Sequence, residues 1–164
     1  GLSLHFKMSL EYLSGIHAYN PTAKWIFSIA NNHACDGSES VVEETVANIK
    51  NTFPDSLVLG AGFEGSHHMV KIHVTPIFTI GLIAWTEVMN YDHRTSKLKS
   101  GIQIVRETDI EPTTIEQLKR EEGMQFLIGF PHGNEEQSLT PVPETRERWT
   151  NLLGDALFDA IIGQ

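Results

Sequence analysis

The 164-residue sequence contains one cysteine, Cys35, and fewer basic than acidic side chains. One cysteine excludes an intramolecular disulfide and leaves the redox compartment of the protein open. The 12 lysines and arginines are outnumbered by 21 aspartates and glutamates, which gives a net charge of −9. This charge argues against sequence-independent nucleic-acid binding, because replacing the counterions of a phosphate backbone requires a basic face. It also disfavours binding to an anionic membrane surface.

Long hydrophobic runs are also absent. No stretch approaches the ~18 consecutive apolar residues of a membrane-spanning helix, and no signal peptide or membrane anchor is recognisable. The chain begins at Gly1 rather than at a methionine, so we expect the native N-terminus to lie upstream. Hydrophobic residues make up 40% of the sequence, and no repeat, low-complexity segment or linker interrupts it. We therefore expect residues 1–164 to form a single globular domain.

Apolar runs and helical periodicities alternate along the chain. Ser9 is predicted to cap a helix that ends at Tyr19, and Ser38 is predicted to cap a helix from Glu39 to Thr52. In this second helix we expect Val42, Val46 and Ile49 to be buried. Helices at both ends of the chain and successive strands in its middle predict an α/β (α+β) fold, with a mixed sheet or two stacked sheets. The other predicted elements are strands at 25–30, 57–59, 69–74, 77–88, 102–105, 125–130 and 160–163, and helices at 113–123 and 144–153.

The densest group of chemically active side chains follows the first predicted strand. Residues 30–37 read Ala-Asn-Asn-His-Ala-Cys-Asp-Gly, and loops at the carboxyl ends of strands are where open α/β sheets bind ligands. An ordinary loop is the alternative, since Asn and Asp side chains often bond to nearby backbone. The strand predicted at 125–130 runs into His132 in a similar way. If the two strand ends converge, Asn32 and His33 will lie close to His132.

Five short segments follow one another along the chain in a recognisable order: residues 30–37, 60–62 (Gly-Ala-Gly), 83–87 (Ile-Ala-Trp-Thr-Glu), 131–135 (Pro-His-Gly-Asn-Glu) and 159–163 (Asp-Ala-Ile-Ile-Gly). Together they resemble the bacterial capsule-synthesis family linked to poly-γ-glutamate, a branch of the calcineurin-like metallophosphoesterases. The resemblance implies a four-layer αββα sandwich with mixed sheets, incomplete at both ends of this chain. It also implies a metal-dependent, phosphoesterase-like hydrolase associated with capsule or poly-γ-glutamate synthesis.

The same resemblance implies a set of site residues. Asn32 and His132 match metal ligands of the superfamily, and His33 matches the histidine that acts on the leaving group or stabilises the transition state. Glu135 stands where the family carries a glutamate, so we expect it at the metal site. On our own reasoning, Asp36 orients His33 or shapes the loop. The implied cofactors are divalent ions of Mn, Fe, Zn or Mg, with two ions in the full-length parent.

The chain also departs from the family pattern. His132 directly precedes Gly133, whereas the family usually has an aromatic residue between the two. The family's Asp, Asn-x-Glu and His-Pro-His motifs are missing, so we expect an interior fragment. The resemblance implies a phosphoester or anionic-polymer substrate, a membrane-bound synthesis complex as partner, and a location in the cell envelope or outside the cytoplasm. The alternative is a non-catalytic scaffold or polymer-handling component of a capsule synthesis and export complex.

Overall fold

The computed structural model describes residues 9–36, 40–63, 69–90, 102–133, 140–154 and 157–163. These residues form the predicted mixture of helices and strands, and the four-layer arrangement implied by the resemblance stays a prediction. None of the helices in the described part combines the length and the hydropathy needed to span a bilayer. The elements are α1 (Leu10–Tyr19), β1 (Ile26–Ser28), α2 (Val41–Thr52), β2 (Leu57–Leu59), β3 (Ala61–Phe63), β4 (Val70–Thr75), β5 (Phe78–Thr86), β6 (Ile102–Ile104), α3 (Pro112–Glu121), β7 (Phe126–His132), α4 (Pro143–Gly154) and β8 (Ala160–Ile161).

Strand β5 lies inside the largest described sheet, whose strand order is β4-β5-β7-β8. Strands β4 and β5 form an antiparallel hairpin, whereas β5, β7 and β8 run parallel to one another. The ladder between β5 and β7 extends from Ile80 opposite Phe126 to Thr86 opposite His132. Because parallel strands point the same way, the carboxyl ends of β5 and β7 lie side by side.

Successive side chains of β5 belong to two different hydrophobic clusters. Leu82 and Ala84 pack in the cluster that contains residues of α2, β2 and β6. Ile83 and Trp85 pack in the cluster that contains Ile115 of α3 and the segment just before β8. All four side chains are buried. The nearly continuous apolar sequence of β5 follows from this burial on both faces.

Within the part of the chain that the structure describes, strand β1 is not hydrogen-bonded into the sheet that contains β7. It pairs in parallel with β2, and Val105 connects that pair to the larger sheet. The Val105 N–H donates to the Gly60 carbonyl at 2.9 Å, and the Val105 carbonyl accepts from the Thr86 N–H at 3.0 Å. The backbone of Val105 thus connects the two regions whose strand ends carry the predicted ligands.

Gly60 is required where the chain leaves β2. Its φ of 88° is in the left-handed region, and a Cβ at this position would lie 2.5 Å from the Cβ of Ala30. Only glycine combines this φ with so close an approach at low cost. The close packing fixes the end of β2 against the residue that begins the polar segment 30–37.

The cap predicted for α2 is wrong in position. The helix begins at Val41 with Ser40 at the N-cap, and Ser38 lies outside the described residues. The Ser40 hydroxyl accepts no capping backbone N–H and instead donates to the Glu44 carboxylate at 2.5 Å. Two serines two residues apart offer equivalent cap signals, so the sequence pattern could not choose between them.

The other predicted helix features agree with the structure. The Ser9 hydroxyl accepts from the Tyr12 N–H at 3.2 Å and so caps α1. Val42 and Ile49 of α2 are buried, and Val46 is partly buried against the same cluster. The helical periodicity therefore identified the buried face of α2 correctly even though its first residue was misplaced.

Candidate functional site

Asn31 closes the turn that follows β1. Its side-chain oxygen accepts from the His33 N–H at 2.9 Å, and its amide nitrogen donates to the Ile29 carbonyl at 3.4 Å. The Asp36 N–H donates to the His33 carbonyl at 2.9 Å. Backbone groups of the turn are thus satisfied locally, as Asn-rich turns allow. The side chains of Asn32, His33 and Asp36 are left for contacts with one another and with other segments.

Asn32 and His132 are in direct contact. The Asn32 Oδ1 lies 3.1 Å from the His132 Nε2, although the two residues are 100 positions apart in sequence. Both side chains are half-buried. The expected convergence of the two strand ends is therefore present, even though β1 and β7 belong to different sheets. The role of these residues as metal ligands stays a prediction.

His33 and Asp36 form a close pair within the turn. The His33 Nδ1 lies 2.7 Å from the Asp36 Oδ2, and the two side chains are 31% and 2% exposed. An ionised carboxylate needs a proton donor, so the Nδ1 carries a proton in this contact and the lone pair of the neutral ring is on Nε2. The contact is the one that an orienting role for Asp36 requires.

Asn90 belongs to the site, and sequence reasoning missed it. Its N–H donates to the Asn32 carbonyl at 3.0 Å, and its Oδ1 accepts from the Asn32 Nδ2 at 3.3 Å. Its own Nδ2 lies 3.1 Å from the His33 Nδ1. A polar chain therefore runs from His132 through Asn32, Asn90 and His33 to Asp36, and we refer to these five residues as the polar chain.

Glu87 is the second residue that was missed. Its N–H donates to the His132 carbonyl at 3.1 Å, and its side chain is 4% exposed. The carboxylate accepts from the Trp149 Nε1 at 3.0 Å and from the Arg148 Nη2 at 2.9 Å. Because each of its oxygens has a donor, Glu87 supplies a fixed negative charge beside His132. Its place just after β5 is the signal that could have identified it, and the same signal applies to Asn90.

Arg148 joins Glu87 to a second carboxylate. The Arg148 Nε lies 3.0 Å from the Glu107 Oε1. Burial raises the pKa of Glu107, Arg148 opposes this effect, and the negative charge of Glu87 adds to it. The guanidinium is thus shared between two acidic groups, which holds α4 against the loops that follow β5 and β6.

The environment of His132 favours its neutral form. Burial lowers the pKa of His132 below its ordinary value, the neighbouring His33 lowers it further, and Glu87 acts in the opposite direction. In the contact with Asn32, the ring proton lies on Nε2, which faces an amide oxygen. The His132 Nδ1 is buried and has no hydrogen-bond partner among the described residues.

The donor atoms of Asn32 and His132 fit a divalent cation. Amide oxygen and imidazole nitrogen are both suitable ligands. The observed separation of 3.1 Å between the Asn32 Oδ1 and the His132 Nε2 is close to that of two adjacent ligands whose bonds to one ion are about 2.1 Å long. To ligate an ion, the His132 Nε2 would have to give up the proton that it carries in the contact with Asn32. In the described ranges, no group of three or more His, Cys, Asp or Glu side chains converges on one point. Glu135, the remaining predicted site residue, lies outside those ranges.

Comparisons with protein-family models, curated proteins and solved structures found no match for this chain. The function is therefore argued from the side chains themselves and from the sequence resemblance.

Proposed function

We propose that this chain is a metal-dependent, phosphoesterase-like hydrolase domain of the capsule-synthesis type. The observation that carries the proposal is the contact between Asn32 and His132 beside the pair formed by His33 and Asp36. An amide oxygen, two imidazoles and a buried carboxylate are groups that can bind a cation and transfer a proton next to it. The motif resemblance supplies the substrate class, a phosphoester or an anionic polymer.

Each residue of the site has a distinct role in this proposal. Asn32 and His132 would hold the ion, which when bound polarises a phosphoryl oxygen and lowers the pKa of a bound water. His33 transfers a proton through Nε2, because its contact with Asp36 keeps a proton on Nδ1. Asp36 stabilises the imidazolium that forms during this transfer, as the carboxylate does in other His–carboxylate pairs.

The affinity of this chain for a divalent ion is expected to be low. Both proposed ligands are neutral, whereas hard cations are held mainly by charged oxygens. The carboxylates of Asp36 and Glu87 are engaged with His33 and with Arg148 and Trp149, respectively. We therefore expect the chain to bind metal weakly and to turn over substrate slowly.

Calorimetric titration with manganese or zinc chloride tests the metal site. We expect one weak binding event in the wild-type chain, which His132→Ala abolishes. His73→Ala is the matched control, because His73 is exposed on β4, where it contacts Thr79, and we expect this variant to bind as the wild type does. The proposal fails if no ion binds, or if His132→Ala and the wild type bind alike.

Hydrolysis of bis(p-nitrophenyl) phosphate in the presence of the same ions tests the chemistry. Slow turnover that falls further in His33→Ala is the expected result. Binding of poly-γ-glutamate without metal and without turnover would instead favour the non-catalytic, polymer-handling alternative. Tight binding of two ions with His33-dependent turnover would show that further residues of the chain complete a two-metal site.

A further inference from the structure

Asn90 has no role in the proposed function, yet it contacts both the proposed ligand Asn32 and the proposed proton-transfer residue His33. It is exposed and lies on the loop that follows β5. Its backbone N–H and its side-chain Oδ1 both bond to Asn32, at 3.0 Å and 3.3 Å. One residue therefore holds the backbone and the side chain of Asn32 at the same time.

The side-chain contact determines which end of the Asn32 carboxamide faces His132. A carboxamide has one accepting end and one donating end. Because Asn90 offers an oxygen to the Asn32 Nδ2, the Asn32 Oδ1 is turned towards the His132 Nε2. The oxygen is also the only atom of the Asn32 side chain that can ligate a cation. His132 in turn must carry its proton on Nε2 to donate to that oxygen.

A reversed arrangement of the polar chain is also consistent with the positions of its atoms. The Asn90 Nδ2 and the Asp36 Oδ2 both face the His33 Nδ1, at 3.1 Å and 2.7 Å. The carboxylate needs a proton on that nitrogen and the amide needs a lone pair, so the two contacts compete. Rotating both carboxamides by 180° would remove the competition, but it would present the Asn32 Nδ2 to His132 and move the ring proton to the buried Nδ1.

We infer that Asn90 is a positioning residue that keeps the Asn32 oxygen directed at His132. The inference rests on the proposed function, because the orientation of this oxygen affects metal binding only if Asn32 is a ligand. The orientation of Asn32 depends on the side-chain oxygen at position 90, which accepts from the Asn32 Nδ2. An aspartate there would offer oxygens both to the Asn32 Nδ2 and to the His33 Nδ1–H, whereas a leucine of similar size would offer neither.

Long-range ¹H–¹⁵N NMR of the histidine ring nitrogens tests this inference without metal, because it distinguishes the protonated nitrogen of each ring from the other. We expect the wild type and Asn90→Asp to show His132 in the Nε2–H form, and Asn90→Leu to show a mixture of the two forms. Asn48→Leu, at an exposed position of α2, is the matched control and keeps the wild-type form. Backbone amide spectra identify any variant that fails to fold.

The inference is overturned if Asn90→Leu retains the wild-type proton position, or if Asn90→Asp loses it as the leucine variant does. Metal titration gives an independent measurement. Loss of a group that orients a ligand typically weakens metal binding 10–100-fold, so we expect a decrease of about this size in Asn90→Leu and none in Asn48→Leu. If the wild type binds no metal, the proposed function fails, while the NMR result still decides whether Asn90 orients Asn32.

Discussion

Strand β5 carries a threonine opposite a histidine near each of its ends, and the two pairs behave differently. Thr79 is opposite His73 in the hairpin with β4, and Thr86 is opposite His132 in the parallel ladder with β7. In the first pair, the His73 Nδ1 contacts the Thr79 hydroxyl at 3.0 Å. In the second, the Thr86 hydroxyl donates to the Val88 carbonyl at 2.8 Å instead.

The difference shows how the same two residue types can serve either the local structure or a distant site. The hairpin pair makes its contact within the ladder, between the exposed His73 and the buried Thr79. At the other end of β5, the threonine hydroxyl holds the turn that leads from Thr86 towards Asn90, and His132 bonds across 100 residues to Asn32. Both histidines lie opposite a threonine, so the register of the strands does not distinguish them. The threonine hydroxyl does: that of Thr79 contacts His73, whereas that of Thr86 bonds elsewhere and His132 contacts Asn32.

The largest expected difference between the two pairs is in the stability effect of removing the hydroxyl. Thr86 is fully buried, and Thr86→Val leaves the Val88 carbonyl without this donor, which should lower the free energy of unfolding by about 1–3 kcal/mol. Thr79→Val should cost less than about 1 kcal/mol, because the exposed His73 can bond to water instead. Urea unfolding of both variants measures the difference. Equal decreases in the free energy of unfolding would mean that the two hydroxyls contribute equally to stability.

A smaller difference is expected in the pH dependence of stability. The pKa of His132 is lowered from 6.5 by burial and by His33, with Glu87 opposing, so the folded protein binds fewer protons than the unfolded chain between the lowered pKa and 6.5. Stability is then complete above pH 6.5 and falls as the pH drops towards the lowered pKa. His132→Asn should flatten this slope in urea unfolding at a series of pH values, and His73→Asn should leave it in place. If His132→Asn leaves the pH dependence of the free energy of unfolding unchanged, His132 is not its source.

The smallest expected effect is that of His73→Ala on stability at neutral pH. His73 is exposed on β4, and substitutions at such positions usually change the free energy of unfolding by no more than about 0.5 kcal/mol. The same urea measurement checks this value. A loss above 2 kcal/mol would show that the hairpin pair holds the sheet edge together, contrary to our comparison.

Much of the fold could be predicted from local patterns. The strand at β5 and the Ser9 cap of α1 depend on residues close together in sequence, and both were predicted. The α2 cap was predicted at Ser38 and lies at Ser40, because the local sequence offers a serine at both positions and does not distinguish them. The separation of β1 from the sheet of β7 also could not be predicted, since it depends on where Val105 is inserted.

The candidate site was predictable only in part. Asn32, His33 and His132 stand out because polar residues follow apolar strands, and the structure brings Asn32 and His132 into contact. Asn90 lies 58 residues from Asn32 and begins a polar segment that has the composition of an ordinary loop. The role of Glu87 depends on Arg148 and Trp149 of α4, whose orientation against the site follows from tertiary packing alone.

The backbone connection through Val105 has a consequence for the dynamics of the molecule. The Val105 N–H donates to Gly60 on the β1 side of the site, and the Val105 carbonyl accepts from the Thr86 N–H on the β7 side. An opening that moves Asn32 away from β5 and β7 breaks one of these two bonds, together with the bond from the Asn90 N–H to the Asn32 carbonyl. Hydrogen–deuterium exchange at the amides of Val105, Thr86 and Asn90 would then report the free energy of that opening. Exchange at these amides before exchange in the rest of β5 would indicate that the site opens while its central strand remains folded.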